Sequence, residues 1–239
     1  MTTTARIPLA AMVSCLILAL PAAADPILYS GSDPGVGPGG ARPNSNAAAA
    51  NFGAAAALLG PVNLINCESL PLGTFTNLVA APGVTITSQN NAAGVVTGDD
   101  VILGYNTTAG GSRFLQDSAT GDPSGFNFTF ATPIQAWGAY FTGVGTSSGT
   151  VTIRFNDGTA RSYTVAGSTS GGVQFWGFTD AGRSISSVSA LLVGGTGDVW
   201  GLDDIRFVAV PEPASVLMAG MGLACVGWIA RRRSPGQGC

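Results

Sequence analysis

Phe126-Asn127-Phe128-Thr129-Phe130 and, further along, Val151-Thr152-Ile153-Arg154-Phe155 decide the fold. In both stretches apolar and polar residues alternate strictly. Successive side chains of a strand point to opposite faces, so each stretch presents one apolar and one polar side and reads as a half-buried β-strand. Similar segments lie at Val84–Thr87, Val101–Tyr105, Ile134–Phe141, Arg161–Val165, Val173–Phe178, Val188–Val193 and Val199–Val208, separated by Gly, Asn, Asp and Ser. This makes about ten strands and no convincing helix. Strands with one apolar face need a second sheet to cover it. The expectation for residues 61–209 is therefore an all-β domain, an antiparallel jelly-roll β-sandwich.

One hairpin can be set in register. Asn156-Asp157-Gly158 suits a type I turn with Gly158 left-handed, which pairs Phe155 with Thr159 and Ile153 with Arg161. A two-residue Asp157-Gly158 turn would place Arg154 opposite Arg161, and like charges directly opposite are unfavourable, so the bulged register is expected. Residues 25–60, rich in Gly and Pro and then in alanine, read as a low-complexity linker. The alanines could form a short helix, but no apolar stripe would hold it down.

Composition restricts the chemistry. The chain has 239 residues with no histidine and no lysine, so every basic residue is arginine. A Ser-His-Asp triad, a Lys Schiff base and a P-loop lysine are all excluded. Charged residues are 10% of the chain, against roughly 25% in an average soluble domain. A two-carboxylate glycosidase could be drawn from Glu68 and an aspartate, but nothing local supports it. No H-E-x-x-H or G-x-S-x-G sequence is present. The expectation is a non-enzyme.

The two ends carry targeting. Arg6, the apolar stretch Ile7–Leu20 and Ala22-Ala23-Ala24 make a tripartite signal peptide over residues 1–24. At the other end Pro211-Glu212-Pro213 precedes an uncharged stretch, residues 214–230, followed by Arg231-Arg232-Arg233. Seventeen residues are at the lower limit for a transmembrane helix, and the arginines place that end in the cytoplasm. Pro-Glu-Pro, an apolar helix and an arginine cluster together resemble the PEP-CTERM sorting signal of Gram-negative bacteria, a tail also labelled an ice-binding protein C-terminal domain. The resemblance covers residues 210–233. It implies handling by exosortase, inner-membrane anchoring with the ectodomain outside, and association with exopolysaccharide and biofilm in the cell envelope or outside the cell. Without both ends, six arginines face twelve acidic groups. That acidic surface disfavours nucleic acid. Cys67 is the only cysteine left, so no intramolecular disulfide can form there, and its apolar surroundings suit a small buried residue.

A second resemblance spans most of residues 62–208. Ile65-Asn66-Cys67-Glu68-Ser69-Leu70-Pro71-Leu72-Gly73, Pro82-Gly83-Val84-Thr85-Ile86, Trp137-Gly138-Ala139-Tyr140-Phe141 and Gly201-Leu202-Asp203-Asp204-Ile205-Arg206-Phe207 are similar to the skeleton of lectin-like jelly rolls and carbohydrate-binding modules. In those modules a glutamate and an aspartate at these places hold a structural calcium, which here implies Glu68, Asp203 and Asp204. Strand alternation turns Asp203 to the core with Ile205 and Phe207, and Asp204 the other way with Trp200, Leu202 and Arg206. A hydrogen-bonded cap at the start of the last strand, or an ion pair with Arg206, is equally open to these residues. Asp99-Asp100 reads as a turn, and Asp117 and Asp122 as solvated loop carboxylates.

Trp176, Trp200, Tyr105 and Tyr140 are the aromatics that could stack on a sugar ring, with Trp176 and Trp200 the candidate ligand-binding pair. Two functions stay open. Exposed aromatics along a sheet face would indicate a weak carbohydrate binder. A flat Ser/Thr/Asn surface without them would indicate a structural or adhesion protein of the matrix that recognises other protein copies, or an ice-binding face.

Overall fold

The structure is a computed structural model that describes residues 25–89, 93–117, 123–145, 149–192 and 198–210; the expected signal peptide, residues 1–24, and the expected transmembrane segment, within the residues from Pro211 onward, lie outside these. From its N-terminal end the chain forms β1 (Ile27–Pro34), α1 (Pro43–Ala57), β2 (Asn63–Ile65), β3 (Gly73–Phe75) and β4 (Asn77–Ala81). β5 (Val84–Gln89), β6 (Ala93–Thr97), β7 (Arg113–Asp117) and the long β8 (Ser124–Thr142) follow. β9 (Gly149–Phe155), β10 (Ala160–Val165), β11 (Gly172–Thr179), β12 (Ile185–Leu192) and β13 (Trp200–Ala209) complete it.

All pairings among these strands are antiparallel, and they make two layers that share β8. The first layer runs β10-β9-β12-β8-β5-β4 through the first half of β8. The second runs β1-β11-β8-β13 through its second half, and continues past β13 to β2 and β7, then to β6 and β3. The alternation at Phe126–Phe130 and the apolar run at Ile134–Phe141 thus belong to one strand that changes sheets near Pro133. Proline has no ladder N–H to offer and is tolerated at such a switch. Between the layers lies the core of Phe126, Phe128, Trp137, Phe141, Phe178, Val188, Trp200 and Leu202, all buried. Phe141 and Trp200 stack at 5.8 Å with ring planes 6° apart. The β-sandwich expectation holds.

The hairpin register also holds. Phe155 N donates to Thr159 O at 3.0 Å, Arg161 pairs with Ile153, and Gly158 sits at φ 84°. Val101–Tyr105 is not a strand but a turn-rich segment with a bridge between Asp100 and Gly104.

Residues 27–57 correct the linker expectation. β1 pairs with β11 along its whole length. α1 packs on the outer face of the second sheet through Ser45, Ala48, Ala49, Phe52 and Ala56, which recur at helical spacing. The stripe consists of small residues and one phenylalanine, so it escapes a search for large apolar side chains. The sheet meets it with glycine: a Cβ on Gly177 would lie 3.1 Å from the Phe52 ring and 2.9 Å from the Gly138 Cα. Helix and sheet therefore approach closely, and Phe52 fits against Phe175 at a centroid distance of 5.4 Å. α1 has no side-chain cap of its own; the β1 residue Asp33 accepts from Asn44 N at 3.2 Å and Ser45 N at 2.8 Å. This carboxylate satisfies helix N–H groups that would otherwise be orphaned.

Candidate functional site

The loop from Asn106 to Ser112 gathers the expected carboxylates in an unexpected way. β13 carries a bulge between Asp203 and Arg206, with Asp204 at φ 48°. The inserted residue shifts the alternation, so Trp200, Leu202, Ile205 and Phe207 all face the core. The expectation that Asp203 points inward with Ile205 is thereby corrected: Asp203 turns to the loop. Its Oδ2 accepts from Thr107 N at 2.7 Å and Thr108 N at 3.1 Å. Asp204 Oδ1 accepts from the Thr108 hydroxyl at 2.8 Å. Glu68 grips the far end of the loop, its Oε1 accepting from Ser112 N and Arg113 N at 2.9 Å each.

Burial and the neighbouring Asp204 charge push the Asp203 carboxyl up to about 6. The same carboxylates surround Cys67, whose thiol burial drives well above its ordinary range, with Asp203, Asp204 and Glu68 adding to the effect. Cys67 is buried as expected. Asp203 and Asp204 therefore come together and Glu68 stands on the same loop, but among the described residues no cluster of three His, Cys, Asp or Glu side chains forms that could hold a metal. One feature favours a cation nonetheless: Asp203 Oδ1 is buried and has no hydrogen-bond partner. A hard cation would draw on that oxygen, Asp204 and the threonine hydroxyls.

None of the four aromatics singled out from sequence is an exposed platform. Trp200 is enclosed at 2% exposure and Trp176 at 4%. Tyr105 donates its hydroxyl to Val36 O at 2.6 Å, and Tyr140 to Asn46 Oδ1 at 2.9 Å, both against the outer face of the second sheet. The reading of Trp176 and Trp200 as sugar-stacking residues is corrected by this burial. Apolar residues on both faces of β11 mean that it is covered on both sides, by the first sheet and by α1. Asp117, expected in a solvated loop, is buried in β7, while Asp122 lies outside the described residues. Asp99 and Asp100 form a turn, with Asp100 Oδ1 accepting from Ile102 N at 2.7 Å.

Two grooves open at opposite edges of the sandwich. One, of about 380 Å³, is lined by Leu64, Pro82, Phe130, Thr132, Phe207 and Ala209, near the point where Val210 N donates to Pro133 O at 2.7 Å. The other, of about 370 Å³, lies between the edge strands β1 and β10 and includes Tyr163, Gln174 and an edge of Trp176.

The outer face of the second sheet is covered by α1 and the 99–112 segment, whereas the outer face of the first sheet is bare. Cross-strand register lines up its outward residues in rows. Asn77, Thr87, Asn127, Ser189, Thr152 and Ser162 form one row across all six strands. Val79, Thr85, Thr129, Ser187, Arg154 and Ala160 form the next, and Gln89, Gly125, Leu191, Thr150 and Thr164 a third. Arg154 is the only charged side chain among these positions. Thr152 and Ser162 hydroxyls bond at 2.9 Å, and Asn127 Nδ2 donates to Gln89 Oε1 at 3.0 Å. At about 4.8 Å between strands the face is about 24 Å wide.

A family model of the PEP-CTERM protein-sorting motif matches residues 209–233. The chain thus carries this motif, starting inside the last residue of β13 and containing Pro211, Glu212, Pro213 and Arg231–Arg233. No curated protein matches the chain. Among solved structures it is similar to carbohydrate-binding modules of jelly-roll-like sandwich fold. The CBM22-1 xylan-binding domain of Xyn10C from Paenibacillus barcinonensis is 12% identical over 63% of this chain and 96% of that one, with a TM-score of 0.41. TmCBM61, solved with β-1,4-galactotriose, is 15% identical over 53% and 88%, at 0.34. The K2 cleaved adhesin domain of Lys-gingipain is 16% identical over 62% and 97%, at 0.41.

Proposed function

For a chain that carries the sorting motif of exported proteins, we propose a role as a non-catalytic protein of the cell envelope or extracellular matrix. Its bare Ser/Thr/Asn sheet face, with Arg154 the one charge in its three rows, makes weak, many-point contact with exopolysaccharide. That face is the observation that carries the reading. Serine and threonine hydroxyls and asparagine amides each donate and accept hydrogen bonds, which matches the hydroxyls of a neutral polymer. Each contact is worth little, because it exchanges one hydrogen bond to water for another. Repetition over three rows supplies the avidity.

The sequence alone ties a flat Ser/Thr/Asn surface to a structural protein that recognises its own copies. The composition of this face favours the glycan. Stable protein interfaces need an apolar core with large anchoring side chains, and the three rows offer little beyond Val79 and Leu191. A hydroxylated polymer needs no such anchor.

The ends and the carboxylates complete the reading. The N-terminal 24 residues direct export, and exosortase acts at Pro211-Glu212-Pro213 with the 214–230 span holding the chain in the inner membrane, ectodomain outside. Asp203 and Asp204, with the Thr107 and Thr108 hydroxyls, would hold a structural calcium that ties β13 to the 106–112 loop and neutralises their mutual repulsion, while Glu68 holds the far end of that loop. No catalytic step is assigned to these groups.

The test is a co-sedimentation of the full-length chain, kept soluble in a sugar-free detergent, with the producing organism's own exopolysaccharide over a range of sodium chloride. Retention that persists at high salt is expected from a face that binds through hydroxyls and amides and carries a single charge, Arg154, in its rows. Retention that vanishes with salt, or none from a folded chain, would overturn the reading; sedimentation velocity showing self-association instead would favour the structural protein.

A further inference from the structure

We infer that the groove between β1 and β10 is a second, separate glycan site, which takes one neutral sugar unit against Tyr163. It rests on the glycan reading above only for the class of ligand; its geometry is independent of the sheet face.

The groove exists because the two layers end at different places. On this side the second sheet runs on through β11 to β1, while the first ends at β10. Alternate residues of β1 therefore face inward with no strand above them. Tyr29 and Asp33 point to α1, the former meeting the Phe52 ring at 5.9 Å and the latter bonding Ser45. Leu28, Ser30 and Ser32 point the other way and line the groove. In a well-covered sandwich such inward positions would be large and apolar, yet two of these three are serines, and all three are exposed.

The cross-strand register then sets the chemistry. Ser30 lies beside Trp176, and Ser32 beside Gln174. Tyr163 reaches over from β10, its ring 5.7 Å from the Trp176 ring at 42°. An aromatic wall thus stands next to two serine hydroxyls and the Gln174 amide, whose Nε2 donates to Ala166 O and whose Oε1 is left to accept, which is the combination a sugar presents in reverse: an apolar C–H face and hydroxyls on the rim. No charged side chain lines the groove, so nothing there selects for an anion or a cation. Its volume of about 370 Å³ falls at the small end of ligand pockets. Arg161 pairs with Asp25 nearby, so that cation is already matched. Trp176 itself stays mostly in the core; Tyr163, only partly buried, is the residue that a ring would stack on.

The experiment titrates the full-length chain in sugar-free detergent with soluble neutral disaccharides (cellobiose, maltose, lactose and chitobiose), following ligand resonances by saturation-transfer NMR. Saturable binding of at least one is expected. Ser30→Arg, at an exposed position where the fold has no need of serine, should weaken it at least tenfold by filling the groove, and Tyr163→Ala should do the same. The paired face substitutions Thr87→Glu and Thr152→Glu should leave disaccharide binding unchanged while reducing retention on the insoluble polymer. The groove assignment is overturned if no disaccharide binds, if Ser30→Arg binds like wild type, or if only the face variant loses the sugar. Loss of polymer retention with intact disaccharide binding would overturn the face and leave the groove standing.

Discussion

Burial alone would raise the Asp33 carboxyl, but the bonds it accepts from Ser45 and Asn44 outweigh that and hold it below the ordinary aspartate range. A carboxyl whose folded value lies below its unfolded one contributes stability above the unfolded value, and that contribution is lost as pH falls through the folded value. Thermal melts of the chain should therefore weaken below about pH 4. Asp33→Asn should flatten this acid limb and cost about 1 kcal/mol at neutral pH, as loss of a helix cap does. An unchanged acid limb would show that Asp33 does not cap α1 in solution. The two β13 aspartates teach a different lesson at this scale. That the two lie side by side is given by the chain, but their direction was not legible, because one left-handed residue, Asp204, inverts the alternation and nothing in Gly-Leu-Asp-Asp-Ile announces a bulge; Glu68 meets the far end of the same loop instead of joining them. If they do hold calcium, millimolar calcium should raise the melting temperature and EDTA should lower it, and Asp203→Asn should abolish both responses. Melts indifferent to calcium and EDTA would leave the pair as a hydrogen-bonded strand cap.

At the scale of elements, legibility follows how local the determining signal is. The β9–β10 hairpin could be set in register because a like-charge clash and a glycine in the left-handed region both act within a few residues. α1 could not be placed. Its stripe of small residues matters only because Gly138 and Gly177, some 80 to 130 residues away, let the helix sit close. Phe52→Ala should accordingly cost about 3 to 5 kcal/mol, as other buried phenylalanines do. Gly177→Ala should be destabilising too, since its Cβ would lie 2.9 Å from the Gly138 Cα and 3.0 Å from Trp137 O, both backbone, and 3.1 Å from the Phe52 ring. Denaturant melts check both, and a neutral Gly177→Ala would mean that β8, β11 and α1 are less closely packed around this position than the contacts indicate.

At the scale of the whole molecule, the sandwich was legible from period-two alternation, and the sorting motif from the C-terminal end. The polar outer face of the first sheet was legible only in pieces. Thr85 and Thr87, Asn127 and Thr129, and Thr150 and Thr152 each read as the polar side of a strand, but their alignment into continuous rows depends on register between strands distant in sequence. Trp176 and Trp200 misled for the complementary reason: a tryptophan shows its chemistry in sequence and its burial only in the fold. The resulting division of labour is simple. One outer face is sealed by α1 and the 99–112 segment. The other stays bare, with Arg154 its one charge among the three rows, and the sorting motif begins where β13 ends.

The measurement that tests this most directly compares wild type with the Thr87→Glu and Thr152→Glu double variant in co-sedimentation with the native exopolysaccharide. Two carboxylates set into the central row should reduce retention several-fold while leaving the melting temperature within a few degrees. Equal retention of the two proteins would contradict the claim that the bare face of the first sheet is the surface that meets the polymer.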